Sequence, residues 1–389
     1  MIDIYTNCRL QREELLARIA QELQLDKTRL ARMESAYETV AGILKEDKDF
    51  YEGLTVEVYA QGSKRIGTTV KPINDEDFDL DIVLHLYDPY YKHTPSELYN
   101  NLASALERNQ NYKSILERKT RCVRLNYKSD FHMDILPACM PHGSEMQEIK
   151  IPERELRTWS SGNPKGFAEW FLQIANSVRD PLLKLYSDAL LEARVETEPL
   201  PEDLYLKTPL QRAVQLLKRY RDIYFKDKDY KVSSIVITTL AASFYRGENS
   251  IFDTIDNIIN RIKENYTELR TKGHRFRILN PVNHDEDFTD SWDEDHFISF
   301  FNFIIDIEKK WHNLKNSFET SKDDYIKLFG EGVYKKTLNE QFRTFSKASR
   351  NDLDKATGLI INGKAFTNEQ GYINESTGRK NESHRNFGG

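Results

Sequence analysis

The sequence predicts a mixed α+β protein of the broad α/β class, with a small mixed sheet, helices on one side of it, and a helical C-terminal domain packed against it. Three observations carry this expectation. Strand-like segments at 56–60, 78–86, 121–127 and 131–136 are interrupted by a helical segment at 95–108, a pattern that suits a small mixed sheet. From about Asn163 onward the spacing of apolar residues becomes almost wholly helical. At 389 residues the chain is long enough to favour two closely packed domains over one.

Two amphipathic helices open the chain, and in the second Leu30, Met33, Tyr37, Val40 and Leu44 fall near one face. The strand at 56–60 ends at Gln61-Gly62-Ser63, and a stronger strand at 78–86 follows the turn-rich Lys71-Pro72-Ile73-Asn74. In the helix at 95–108, Leu98, Leu102 and Leu106 recur at four-residue steps. The hairpin at 121–136 completes the sheet. Further helices are expected to start near Asn163, Pro209, Ser234, Ser250, Ser291, Ser321 and Lys335. Pro209 suits a first helical turn, and Ser291-Trp-Asp-Glu294 has the spacing of a capping box. The expected organisation is therefore N-terminal helices packing on both domains (1–50), a core domain (51–155), a helical domain (156–350) and a largely flexible tail (351–389). The crossing between domains falls within 143–162. From 362 the composition shifts to Asn, Ser, Gly, Glu and Lys, too polar to offset the entropy of ordering.

Composition narrows the function classes. No apolar run is long enough to span a bilayer, and the opening MIDIYTNCRLQREELL lacks the basic-then-apolar layout of a signal peptide, so a cytoplasmic location is the default. Cys8, Cys122 and Cys139 are too few and too scattered for a disulfide framework or a CxxC zinc site. With 56 basic and 62 acidic residues the net charge is −6, which gives no strong nucleic-acid-binding signal, although a local basic pocket stays open.

The chemistry centres on Phe78-Asp79-Leu80-Asp81-Ile82. Alternation on a strand projects Asp79 and Asp81 from one face while Phe78, Leu80 and Ile82 pack into the core. Two carboxylates that close repel one another, and a hard divalent cation relieves the repulsion. A solvated strand face is the bland alternative. Upstream, Gly62 allows close backbone approach, Ser63 offers a hydroxyl, and a following helix would aim amides at a phosphate; alone, the pair is a plain turn. Asp134 lies among apolar residues on a later strand and needs a metal, a cation or solvent; a salt bridge to Arg121 or Arg124 would also serve. Three acids with a Gly-Ser turn form the constellation for two-metal phosphoryl transfer.

This order of motifs resembles the polymerase-β-like nucleotidyltransferase superfamily and, within it, the bacterial CD-NTases, relatives of animal cyclic GMP-AMP synthase and oligoadenylate synthetases. The similar stretches are QGSKRIGTTVKP (61–72), DFDLDIVLHL (77–86), FHMDILPA (131–138), GNPKGFAEWF (162–171), LQRAVQLLKRYRD (210–222), SSIVITTLAA (233–242) and LNPVNHDEDFTDSW (279–292). The resemblance implies a polymerase-β-like core and a template-independent enzyme that builds a cyclic oligonucleotide second messenger from ribonucleoside triphosphates, ATP or GTP among them, in antiphage defence. It implies that Asp79, Asp81 and Asp134 hold Mg²⁺, with Mn²⁺ as an alternative, and that Asp134 completes the site activating the attacking ribose hydroxyl. Gly62 and Ser63 would cradle the β- and γ-phosphates, with Gln61 facing the nucleotide. Lys218 and Ser234 would clamp the triphosphate from the helical domain, with Ser233 an adjacent competitor. Spacing alone, however, favours Lys218, Arg219 and Arg221 as the wet face of an amphipathic helix.

His284, Asp285, Asp287, Asp290, Asp293, Asp295 and His296 invite a metal reading, but acids around a helix start at Ser291 complement the helix dipole more simply. Asp75, Glu76 and Asp77 read as a solvated loop beside the acidic strand. A flexible tail ending in Phe387-Gly388-Gly389 is open to an adenylating enzyme, and some CD-NTases occur with ubiquitin-transfer-like partners, so Gly389 is expected as a conjugation site. Two rival functions stand beside the main one: a nucleotidyltransferase acting on an RNA or protein acceptor, and a catalytically silent nucleotide-binding scaffold. Base identity and ring size are not encoded in residue types alone.

Overall fold

The computed structural model describes residues 8–73, 77–127, 131–142, 147–153, 157–178, 207–315 and 318–344, together with 346, 364, 366–367, 373–374 and 379–380. The expected tail at 351–389, and with it Gly389, lies outside these residues apart from a small antiparallel pairing of 366–367 with 373–374 and 379–380.

Seven strands form one sheet: β1 (Val56–Ala60), β2 (Phe78–Pro89), β3 (Leu116–Arg118), β4 (Val123–Tyr127), β5 (Phe131–Met140), β6 (Ile149–Glu153) and β7 (Thr158–Gly162). Their order is β1-β2-β5-β4-β3, with β6 joining β5 to β7. The β2–β5 pair is parallel and the others antiparallel, which makes the sheet mixed. Alternation divides its faces. Phe78, Leu80, Ile82 and Leu84 of β2 are buried with Met133 and Ile135 of β5 against α2 (Lys27–Glu46) and α4 (Pro95–Glu107). On α2 the buried Met33, Val40 and Leu44 make that contact. Thr94 and Glu97 close a capping box at the start of α4, with Pro95 in its first turn.

The strands differ from expectation at their ends. β2 and β5 run on to Pro89 and Met140 because each is the other's parallel partner along its whole length, with a bulge after Leu86. β3, β6 and β7 are additional strands. They are short and carry polar residues such as Glu117, Lys150 and Ser160, so their strand character comes from pairing with a neighbour more than from their own apolar pattern.

The helical region comprises α6 (Pro164–Ala175), α7 (Pro209–Tyr224), α8 (Ser234–Phe244), α9 (Ile251–Thr271), α10 (Glu294–Asn313), α11 (Phe318–Phe329) and α12 (331–344). Phe171, Val214, Ile255, Phe300 and Trp311 share one core, and Leu15, Leu16 and Ile19 of α1 (Cys8–Glu22) join it. The two N-terminal helices thus divide, α1 into the helical core and α2 onto the sheet. Short α3 (Gly62–Arg65) and α5 (Gln110–Lys113) complete the helices among the described residues.

The start of α10 corrects the capping box expected at Ser291. The cap is Asp293, whose carboxylate accepts from the His296 backbone N–H at 2.9 Å. This choice leaves Trp292 just outside the helix, where its ring packs on Phe297 at 5.2 Å, a hydrophobic staple that a cap at Ser291 would forgo. Among the described residues no helix is long and apolar enough to cross a membrane.

Candidate active site

The face of β2 opposite the core carries Asp79 and Asp81. Parallel register sets Asp81 beside Asp134 of β5, and antiparallel register sets Asp134 beside Arg124 of β4, so three charged side chains cross the sheet in one row. Arg124 donates from Nε to Asp134 Oδ1 at 2.6 Å and from Nη2 to Asp134 Oδ2 at 2.7 Å, and its Nη2 lies 3.4 Å from Asp79 Oδ1. Of the two cations weighed from sequence, Arg124 is therefore the partner of Asp134; Arg121 pairs with Glu153 instead. Burial, reinforced by Asp134 and Asp79, pushes the Asp81 carboxyl up to about 6. Asp79 is also raised, by burial first, while Arg124 pulls it back.

The turn after β1 is built against this row. The Gln61 N–H donates to the Asp81 carbonyl at 2.9 Å, and Gly62 takes φ +58°, a conformation that costs glycine no strain. A Cβ on Gly62 would lie 2.9 Å from Asp81 Oδ2, so glycine is also what lets the turn sit this close to the carboxylate. The Ser63 carbonyl accepts from the Thr68 N–H at 2.9 Å and folds the following loop back on itself.

Helix α7 holds that loop from the other side. Gln211 Nε2 donates to the Ile66 carbonyl at 3.0 Å, Gln215 Nε2 to the Thr69 carbonyl at 2.9 Å, and Lys218 Nζ to Thr68 Oγ1 at 3.0 Å. Steps of four and three place these side chains on one helical face. The expected wet face does not exist, because Lys218, Arg219 and Arg221 are all buried. Burial, with Arg221 adding repulsion, lowers the Lys218 ammonium to about 7. Arg221 donates to Ser234 Oγ and to Asp222, which Lys231 also approaches at 3.2 Å.

Between sheet and α7 lies a cavity of about 740 Å³. Gln61, Gly62, Ser63, Asp79, Asp81, Lys218 and Ser234 all line it. Ser233 does not; it is exposed at the cap of α8. Asp134 stands behind the lining, held by Arg124. Acids thus face the cavity from the sheet, and Arg221, Lys226 and Lys231 face it from the helical side. The arrangement can hold a polyphosphate between a cationic wall and metal-binding carboxylates.

A divalent cation fits the donor set. Asp79 and Asp81 offer hard oxygen ligands on one strand face, and their mutual repulsion is what a cation would relieve. Among the described residues no three His, Cys, Asp or Glu side chains converge as a ready-made metal centre, and the third carboxylate of the row, Asp134, is engaged by Arg124. Two of the acids at 284–296 have other roles: Asp287 is bonded by Arg277 and Thr289, and Asp293 is a helix cap.

Sequence reasoning missed the roles of Gln211, Gln215 and Arg221, which share their helix with Arg212, Lys218, Arg219 and Asp222 and so carry no distinguishing signal of their own. It also missed Glu286, which lines the cavity but was submerged in the acid-rich run at 284–296.

Comparison with known proteins places this architecture. Residues 11–175 match the family model of the Second Messenger Oligonucleotide or Dinucleotide Synthetase domain. The chain is 37% identical over 367 residues to a c-di-GMP synthase of Roseivirga ehrenbergii, covering 92% of this chain and 95% of that protein. It is 25% identical over 331 residues to the cyclic dinucleotide synthase CdnG of Bradyrhizobium diazoefficiens, covering 81% of this chain and 77% of that protein. The fold is similar to that of the Bradyrhizobium diazoefficiens CD-NTase CdnG solved in complex with GTP, with a TM-score of 0.69, 23% identity, and coverage of 85% of this chain and 98% of that one. It also resembles Escherichia coli CdnC solved with ATP, with a TM-score of 0.59, 13% identity, and coverage of 82% and 98%.

Proposed function

The chain belongs to the bacterial CD-NTase family of second messenger synthases, and on that premise we propose that it joins two molecules of GTP into a cyclic dinucleotide at the cavity between the sheet and α7. It is a nucleotidyltransferase acting on ribonucleoside triphosphates. Guanine as the base rests on the similarity to a c-di-GMP synthase over 92% of the chain. The observation that carries the site is that Gly62, Ser63, Asp79, Asp81, Lys218 and Ser234, from separate elements, line one cavity.

In this reading Gly62 and Ser63 cradle the β- and γ-phosphates while Lys218 and Ser234 clamp the triphosphate from α7 and α8, and Gln61 faces the nucleotide. Lys218 exchanges its bond to Thr68 for a phosphate oxygen, and Arg221, which holds Ser234, adds positive charge beside it. Mg²⁺, or Mn²⁺ in its place, would be held by Asp79, Asp81 and Asp134 and would supply charge neutralisation and activation of the attacking ribose hydroxyl. That hydroxyl attacks the α-phosphorus of the second triphosphate. A new P–O bond forms, the bond to the β-phosphate breaks, and pyrophosphate leaves. The linear intermediate, still carrying one triphosphate, turns over and repeats the step on itself, so each ring releases two pyrophosphates. Gly62 and the loop gripped by Gln211 and Gln215 keep the phosphates at fixed distance from the acids.

Incubating the purified protein with the four ribonucleoside triphosphates and Mg²⁺ or Mn²⁺ tests this, with products identified by mass spectrometry and phosphatase resistance. A phosphatase-resistant diguanylate product, absent in Asp79→Ala/Asp81→Ala, is expected. Nucleotide recovered only on a macromolecule, or no product at all, would overturn it in favour of an RNA or protein acceptor or a silent scaffold. The antiphage setting, the cytoplasmic location and conjugation through Gly389 to a ubiquitin-transfer-like partner are further parts of the proposal. The last is tested by mass spectrometry of the C-terminal peptide from cells containing such a partner, where an unmodified terminus in every sample would count against it.

A further inference from the structure

The hairpin of β8 (Leu279–Asn280) and β9 (Asn283–Asp287) carries a carboxylate and an amide into the far wall of the cavity. Asn280 is 5% exposed and held at both ends of its amide: its Oδ1 accepts from the Val282 N–H at 3.1 Å and its Nδ2 donates to Glu286 Oε2 at 2.8 Å. Glu286 is thereby held with Oε1 and the second lone pair of Oε2 available. Among the described residues no cation pairs with it, in contrast to Asp287, which Arg277 neutralises at 2.8 Å. Apolar side chains line the cavity with it, from Ile151 of β6, Phe167 of α6 and Phe288 at the end of the hairpin. The hairpin reaches the sheet where Asn283 Nδ2 approaches the Ser161 carbonyl of β7 at 3.5 Å.

A cavity with apolar side chains in its lining and an oriented, acceptor-only carboxylate in its wall has a definite complement. Guanine presents two adjacent donors on one edge, N1–H and the exocyclic 2-amino group, and a carboxylate accepts both side by side. Adenine presents an unprotonated N1 at the corresponding place, an acceptor facing an acceptor. Hypoxanthine keeps N1–H and lacks the 2-amino group. Ribose hydroxyls are the competing donors for a carboxylate, but they are common to every nucleoside triphosphate and would give no base preference.

We propose that Glu286, oriented by Asn280, is the guanine-reading residue of the cavity, accepting from N1–H and the 2-amino group of one of the two bound nucleotides. The assignment rests on the proposed synthase reading for the identity of the ligands. It is tested by equilibrium binding, so that its failure is separable from a failure to make product. Of the two oxygens, one is fixed by the amide and the other is left to close the bidentate contact.

The experiment is calorimetric titration of the full chain, in Ca²⁺ to suppress turnover, with GTP, ITP and ATP. Wild type is expected to bind GTP ~10-fold more tightly than ITP, the loss of one hydrogen bond to a charged acceptor, and more tightly still than ATP. Glu286→Gln is expected to weaken GTP by ~10-fold and strengthen ATP, because a side-chain amide can donate to adenine N1 and accept from its 6-amino group. A purely structural role for Glu286 would weaken both alike. Equal binding of GTP and ITP by wild type, which needs no variant to fold, would overturn the assignment, as would parallel losses for GTP and ATP in Glu286→Gln. Intact GTP preference in a protein that forms no cyclic product would instead overturn the synthase reading and leave this one standing.

Discussion

Arg124 and Asp134 face each other across antiparallel β4 and β5 and are joined by two hydrogen bonds of 2.6 and 2.7 Å. On its other side Asp134 is the register partner of Asp81. One guanidinium therefore balances a row of carboxylates that includes Asp79, and it does so at the residue expected to complete the metal site. Removing it should destabilise the metal-free protein by about 2 kcal/mol, since charge-assisted bonds of a half-buried pair are lost and the acids repel unopposed. Arg124→Met is expected to melt lower than wild type in EDTA and to regain more on addition of Mg²⁺, because a cation then replaces the missing charge. Equal melting temperatures in EDTA and equal gains with Mg²⁺ would show that Arg124 does not balance the acids.

The Gly62 turn is constrained twice, by φ +58° and by the 2.9 Å approach its Cβ would make to Asp81 Oδ2. Gly62→Ala pays left-handed strain of ~1 kcal/mol and must also displace either the turn or the carboxylate. A misplacement of about 1 Å at a reacting centre costs on the order of 100-fold in rate. The variant should therefore fold, with an unchanged circular dichroism spectrum and a slightly lower melting temperature, and release pyrophosphate at least ~10-fold more slowly. Near-normal turnover would mean that the turn does not position the acids.

The legible parts of this site are those in which local pattern and tertiary role coincide. Alternation along Phe78-Asp79-Leu80-Asp81 gave both the strand and its acidic face, because one period serves packing and chemistry together. Helix starts at Asn163, Pro209 and Ser250 were readable since each cap is local in sequence. The Ser291 cap was misplaced because two cap sequences overlap, and the staple between Trp292 and Phe297 decides between them. Gln211 and Gln215 could not be assigned partners from sequence, as each bonds a backbone carbonyl about 145 positions away. Arg124's choice over Arg121 is hidden for another reason, since it depends on strand register across only ten residues, and the separation of Glu286 from its acidic neighbours depends on a hairpin.

His85, on the same strand, is 1% exposed, and neither ring nitrogen has a partner among the described residues. It lies beside Tyr59 and Tyr87, with Lys165 and Glu57 as the charged neighbours. Burial first, and Lys165 second, depress its pKa from 6.5 to about 4, with Glu57 opposing. As pH falls from 6.5 towards 4 the unfolded chain takes up a proton that the folded chain refuses, so stability declines through that window, by up to ~3 kcal/mol. His85→Phe removes the titrating group and should flatten the decline, keeping the melting temperature at pH 4.5 a few degrees closer to its value at pH 7. An unchanged pH slope in the variant would place the acid sensitivity elsewhere.

Lys218 gives a slope of the same sign at higher pH and a link to substrate. Burial lowers its ammonium from 10.5 to about 7, with Arg221 contributing. Between those values the unfolded chain holds a proton that the folded chain lacks, so this residue's cost to stability is full below pH 7 and is relieved as pH rises towards 10.5. A bound triphosphate adds its negative charge to that of Asp222 and Asp81 and raises the pKa again, so binding above pH 7 must draw a proton from solution. At about pH 8 the γ-phosphate is already ionised, and uptake therefore reports on the protein. Calorimetry in two buffers of different ionisation heat should find proton uptake approaching one per bound GTP in wild type and almost none in Lys218→Met. Affinity should fall as pH rises above 7, by at most ~10-fold per unit, in wild type only. Identical uptake in the two proteins would remove Lys218 from the triphosphate and leave Arg221, Lys226 and Lys231 as the cations that face it.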